Sequence, residues 1–195
     1  MGRVRTFDEG AVTRSALGAF WERGYAETAV PELEDATGLN RSSLYHAFGS
    51  KRGLFDAAVE RYLDEVVRPR LAPLLADRVA AGALGDYLRE LREAMLGGLP
   101  ELAANGCLLM NATASSLGHD AALQHVVARY HADLRAAIGA GVAAHRPDLD
   151  AEATRDLATA CTAMVLASMM IVRVNPAAAG EMLATASRTL GFPLD

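Results

Sequence analysis

Lysine is almost missing from this 195-residue chain: of 19 basic residues, 18 are arginine and one, Lys51, is lysine. Alanine occurs 39 times, and the joint Ala and Arg excess reads as a GC-rich coding background, against which a surviving lysine draws notice. Cysteine is nearly as scarce. Cys107 and Cys161 show no CxxC spacing, which excludes a disulfide scaffold and suits a reducing cytoplasm. The polar start MGRVRTFDEG has no signal-peptide pattern. The uncharged run Leu157 to Val172 is 16 residues, short of the roughly 20 a membrane span needs, so no membrane partner is expected. Alternating β-branched runs, internal repeats and low-complexity tracts are also missing. His119, His125, His131 and His145 lack the i, i+4 spacing of a helical metal pair, so no metal site is read. No phosphate-cradling glycine loop, nucleophile elbow or zinc-protease signature occurs, which leaves an enzyme without support; neither catalytic residues nor a cofactor are expected.

What is present is an ordinary globular balance, 51% apolar and 22% charged, enough for one large domain or two small ones. The net charge of -5 excludes a polybasic nucleic-acid coat. It is unevenly placed: residues 1–55 carry seven basic and seven acidic groups, so the whole excess falls on the remainder. Apolar residues recur three and four apart among abundant Ala and Leu, which reads as all-α. The stretch Arg68 to Pro73 is the best junction between an N-terminal module and a body.

The module reads almost residue by residue. Thr6-Phe-Asp-Glu9 has the form of a capping box, and Val12, Ala16, Ala19 and Phe20 line one side of a helix that Gly24 stops near Arg23. A short helix follows from about Ala29 to Thr37, with Pro31 in its first turn. Gly38 makes a tight turn, Asn40 caps a third helix, Arg41 to Phe48, and Leu44 and Phe48 face inward. Arg41, Ser42, Ser43, Tyr45 and His46 are left largely outward. Ser50 caps a fourth helix, opened by Lys51 and Arg52.

Two short helices joined by a glycine turn, the second one polar, have the geometry that places side chains in a major groove. Arg41 suits guanine, Ser42 and Ser43 donate or accept, and Tyr45 and His46 reach a phosphate or a base edge. Lys51 opposes its helix dipole, an unfavourable placement that a bound phosphate reverses. The plainer alternative is that Lys51 and Arg52 are a solvated pair and Tyr45 only covers the core.

The residues Gly24-Tyr25, Thr28-Ala-Val-Pro-Glu-Leu33, Ala36-Thr-Gly-Leu-Asn40, Ser43-Leu-Tyr45, Phe48 and Lys51-Arg-Gly-Leu-Phe55 together resemble the DNA-binding domain of the TetR/AcrR family of transcriptional regulators. The resemblance covers nearly all of residues 6–66. It implies a three-helix helix-turn-helix DNA-binding domain at 6–66, with the helix-turn-helix at about 29–48, and a helical ligand-binding and dimerisation domain at 67–195. By position it makes Thr28, Tyr45 and Lys51 the phosphate set and Arg41, Ser42, Ser43 and His46 the base readers. Two departures stand out. Ala29 occupies the usual Thr or Ser cap before Glu32, so Thr28 must cap or no cap exists. Glu34 replaces a small residue, which implies a more open edge there.

In the body, helices are expected at roughly 71–80, 83–99, 101–117, 120–145, 150–173 and 177–190. Asn105-Gly-Cys-Leu-Leu-Met-Asn111 is similar to a segment found in part of the family. Met95, Cys107, Met110 and Met164 are candidate ligand contacts for a small apolar or amphipathic effector, since methionine offers adaptable apolar surface; ordinary core filling is the plainer role for any one of them. Ala163, Ala167, Met170, Met182, Leu183 and Ala186, on the last two helices, would by family position build a homodimer interface. The expectation is a cytoplasmic, homodimeric repressor that leaves a pseudo-palindromic, double-stranded DNA operator when a small molecule binds. The alternative is a constitutive DNA-binding or interaction protein without such a ligand.

Overall fold

A computed structural model describes residues 7–98 and 105–193. Among these residues every regular element is helical, and no helix is long and apolar enough to cross a membrane. The chain divides into two compact units, Met1–Val67 and Arg68–Asp195.

The first unit holds α1 (Glu9–Arg23), α2 (Val30–Thr37), α3 (Arg41–Phe48) and α4 (Lys51–Tyr62), the last followed by one π turn, Leu63–Val67. Thr6 of the expected capping box lies outside the described residues. The described start of α1 is capped by Asp8, whose carboxylate accepts from the amides of Gly10 at 2.8 Å and Ala11 at 3.2 Å. Gly24 ends α1 with φ 88° and ψ 162°, a region essentially reserved for glycine. Val12, Ala16, Leu17, Phe20 and Trp21 of α1 are buried with Leu54, Phe55, Ala58, Val59 and Tyr62 of α4. Edge-to-face pairs lock the two helices: Phe20 on Phe55 at 5.2 Å and Trp21 on Tyr62 at 5.1 Å between centroids. Each such pair adds about 0.5–1.5 kcal/mol beyond the area it buries.

The second unit contains α5 (Arg68–Leu71) with a 3₁₀ turn at Ala72–Leu74, α6 (Ala83–Glu93) with a π turn at Ala94–Gly98, α7 (Leu108–Thr113), a 3₁₀ turn at Ser116–His119, α8 (Ala121–His145), α9 (Ala151–Ile171) and α10 (Pro176–Leu190). Its core is built at helical spacing from Leu84, Leu88, Leu91 and Met95, from Leu134, Ile138 and Val142, from Cys161 and Val165, and from Leu183, Ala186 and Leu190. Asp120, Asp150 and Asn175 cap the three long helices with their side-chain oxygens.

Two expected helices fail here. The one over 71–80 stops at Leu74: Pro73 supplies no amide to extend the α-helix that ends at Leu71, and the 3₁₀ turn that follows closes with an i−3 bond from Leu75 to Ala72 at 3.1 Å. The one over 101–117 reduces to α7 and a 3₁₀ turn; its positions 101–104 lie outside the described residues. Gly106 forbids a continuous helix, with φ 64° and a backbone so close to α9 that a Cβ would stand 2.2 Å from the Met169 carbonyl oxygen.

A similar close approach governs the first unit. A Cβ on Gly53 would meet the Phe48 carbonyl oxygen at 2.0 Å, whereas one on exposed Gly18 of α1 would meet nothing within 4 Å. Gly53→Ala should therefore cost about 1–3 kcal/mol, and Gly18→Ala should add about 0.5–1 kcal/mol by raising helix propensity. Urea unfolding of both variants checks the opposite signs.

Candidate nucleic-acid interface

The turn between α2 and α3 is made by Gly38, at φ 69° and ψ 10°. Two side chains then secure the start of α3. Asn40 Oδ1 accepts from the Ser43 amide at 2.9 Å, and Glu34 Oε1 accepts from the Arg41 amide at 2.5 Å. Glu34 thus closes the edge that a large acidic residue was expected to open, and its charge suits the positive end of the helix. The sequence offered no signal for this bond, because it joins residues seven apart across a turn.

Leu44 alone of α3 is fully buried. Arg41, Ser42 and His46 are exposed, while Ser43 and Tyr45 are half-buried. Phe48, expected inward, is only half-buried. The Arg41 guanidinium sits 5.2 Å from the Tyr45 ring centroid, a cation–π contact one turn apart that holds both side chains on the outer face.

Lys51 opens α4 behind the Ser50 cap, whose hydroxyl accepts from the Gly53 amide at 3.0 Å. Its ammonium lies 4.5 Å from the centroid of Tyr25. Partial burial pushes its pKa down, with Glu27 opposing. Tyr25, not marked from sequence as a site residue, is the platform that holds the lysine. It also touches Phe20 and Phe55, so the position of the ammonium is referred directly to the core.

Thr28 requires a correction. It is fully buried, and its hydroxyl donates to the carbonyl of Gly24 at 2.7 Å and faces that of Ala19 at 3.4 Å. It braces the loop between α1 and α2 and does not present a hydroxyl to a phosphate. Nor does it cap α2. The N-cap is Ala29, with no side-chain bond of its own, and what survives of the capping box is Glu32 accepting from the Ala29 amide at 2.7 Å. Glu32 also pairs with Arg23, tying the end of α1 to the start of α2.

In the second unit, Met95 and Cys107 are completely buried, and Met110 and Met164 are half-buried. Tyr87 feels both Cys107 and Cys161, and burial drives its hydroxyl pKa up. Among the expected dimer residues, Ala163 and Met170 are exposed and Ala167 and Met182 half-buried. Leu183 and Ala186 are corrected: both are 0% exposed, because α10 turns this side onto α9 and α6 and spends it on the chain's own core.

Residues 12–58 match the model of the bacterial regulatory proteins of the tetR family. The repressor ComR of Escherichia coli K12 is 37% identical over 87 residues, 44% of this chain and 41% of ComR, so the similarity spans less than half of that protein. The regulator YezE of Bacillus subtilis 168 is 31% identical over 147 residues, covering 70% of this chain and 73% of YezE. A cysteine mutant of the TetR family regulator CifR, solved with a 26-bp double-strand operator DNA, superposes with a TM-score of 0.76 at 28% identity, over 98% of this chain and 100% of that one.

Two outcomes follow from the site geometry. Glu34→Ala should lower stability by about 1 kcal/mol through the lost cap, while Glu34→Gln, which keeps an acceptor, should lose less; both should bind noncognate DNA more tightly at low salt, as fluorescence anisotropy would read. The Cys161 thiol is pushed up to about 12 by burial. Folding therefore favours its neutral form, and the associated stability is present below the ordinary thiol pKa and lost as pH rises past it. At pH 8 the native thiol should resist Ellman's reagent and react only after denaturation.

Proposed function

Because this chain belongs to the tetR family of bacterial regulatory proteins, we propose that it is a homodimeric repressor released from a pseudo-palindromic operator by a small apolar or amphipathic molecule. Residues 6–66 are the DNA-binding domain in this reading, and 67–195 the ligand-binding and dimerisation domain. The observation that carries it is α3. It has one buried anchor, Leu44, and an outer face of Arg41, Ser42 and His46, which is the division of labour a reading helix needs.

Tyr45 and Lys51 flank that face as phosphate contacts, and Arg41, Ser42, Ser43 and His46 are its base readers. A second copy would bring a second α3 about one helical turn, roughly 34 Å, along the duplex. Support for self-association comes from exposed apolar side chains at the end of α9 and beyond it, Met170 at 59% and Val174 at 81% exposure. Release follows by linkage: a molecule that binds better to the arrangement DNA disfavours must weaken DNA binding by the same coupling energy. Met95, Cys107, Met110 and Met164 are its proposed contacts.

Selection from a random duplex pool should enrich a pseudo-palindrome; a pool without one would refute the operator reading. Lys51→Ala should weaken binding at all sequences and reduce the salt slope by about 1, whereas Arg41→Ala should change base preference with a smaller effect on the slope. Anisotropy titrations from low to physiological salt separate the two.

A further inference from the structure

The second unit holds a cavity of about 250 Å³ between α6, α10 and the residues after α10. Its α6 wall is a stripe distinct from the core face. Gly82, Gly85, Arg89 and Arg92 line it, whereas Leu84, Leu88 and Leu91 point to the core. The glycines leave space at the start of the helix. Long side chains on a helix lean toward its N-terminus, so the two guanidinium groups reach back over that space. Arg89 shows the lean: its Nη2 donates to Asp86 Oδ1 at 2.5 Å, one turn earlier.

Phe192 forms the opposite wall. Gly191 reverses the chain at φ 84°, the Phe192 amide donates to the Ser187 carbonyl at 2.9 Å, and the ring stacks on His145 with centroids 3.9 Å apart. The ring also presses against α6 where a Cβ at position 85 would come within 2.7 Å of it. The wall is therefore built, held by a backbone bond, a ring stack and a glycine seat.

One polar group at this cavity lacks a partner. The Nε of Arg92 is buried and has no hydrogen-bond acceptor among the described residues, so its donor capacity is not spent within the protein. Ser187 is 94% buried at the same cavity, by its 6% exposure. Asp86 already occupies Arg89, but that pair is exposed, at 48% and 62% of the two side chains, and such pairs are weak and exchangeable. Glu181 also faces Arg92 electrostatically, yet its carboxylate is bonded to Arg188 at 2.6 Å.

We propose that this cavity binds a small organic carboxylate with a flat apolar body, its carboxylate on Arg92 and Arg89 and its body against Phe192. The guanidinium fork matches a carboxylate in plane, the half-buried ring supplies an apolar face, and the volume is below that of pockets for drug-sized molecules. The site stands on the second unit alone and does not depend on the operator reading.

The full chain is titrated with sodium benzoate, neutral benzamide, inorganic phosphate and sodium chloride at matched ionic strength, following thermal unfolding and, independently, saturation-transfer NMR of the small molecule. Benzoate alone should raise Tm and show saturation transfer. Arg92→Gln should weaken it about tenfold or more, with Arg89→Gln as a second variant should the first fail to fold. Equal shifts with benzamide or chloride, phosphate binding without benzoate binding, or an unchanged benzoate affinity in both folded variants would overturn the assignment. Operator affinity measured without benzoate is unaffected by any of these outcomes, so a failed cavity and a failed DNA reading remain distinct.

Discussion

The corner between α3 and α4 is the constraint on which the reading unit depends. The last carbonyl of α3, on Phe48, lies where a side chain at position 53 would otherwise be. Only glycine lets α4 pass so close. Ser50 then fixes the other side of the corner by accepting the Gly53 amide. Once this approach is set, the outer face of α3 and the first turn of α4 have one relation, and Arg41 and Lys51 belong to a single surface. The aromatic pairs between α1 and α4 hold the rest of the unit around that corner.

Charge on this surface is arranged for fit more than for attraction. Lys51 has an unfavourable place in its helix dipole, partly offset by the Tyr25 ring beneath it, since a cation over an aromatic face gains about 0.5–1 kcal/mol at an exposed site. Arg41 is likewise parked on Tyr45. Opposing them, Glu34 occupies the amide of Arg41 and puts a negative charge where a phosphate would otherwise be drawn. A surface of this kind, on a unit with no net charge over residues 1–55, has little to hold a random phosphate backbone. It gains only where the backbone meets Lys51 and the bases meet α3 together.

Local signals were legible in the sequence; tertiary ones were not. Gly24, Gly38, Asn40 and Ser50 each act within three or four residues, and the helix ends they mark fall at 23, 37, 41 and 51. Thr28 has the composition of a surface phosphate contact, but its burial depends on α1 folding over it, which no local pattern encodes. Tyr25 carries Lys51 across 26 positions of chain for the same reason. In the second unit, the stretch over 71–80 was read as a helix, and only a 3₁₀ turn at Ala72–Leu74 forms there.

Leu183 and Ala186 expose the limit of reading an interface from apolar periodicity. A stripe that meets a partner and a stripe that meets the chain's own core have the same spacing, and only burial separates them. Both residues are fully enclosed, so a second copy gains no new area from either. On α9, in contrast, Ala163 and Met170 remain exposed and Ala167 half-buried, one helical side apart from the buried Cys161, Val165 and Met169. Small residues there permit close helix approach, and Met170 supplies adaptable apolar surface. In the proposed dimer the contact therefore centres on the outer side of α9, with Met182 as the contribution of α10. The inner side of α10 acts one step earlier, by holding α9 in place to be met.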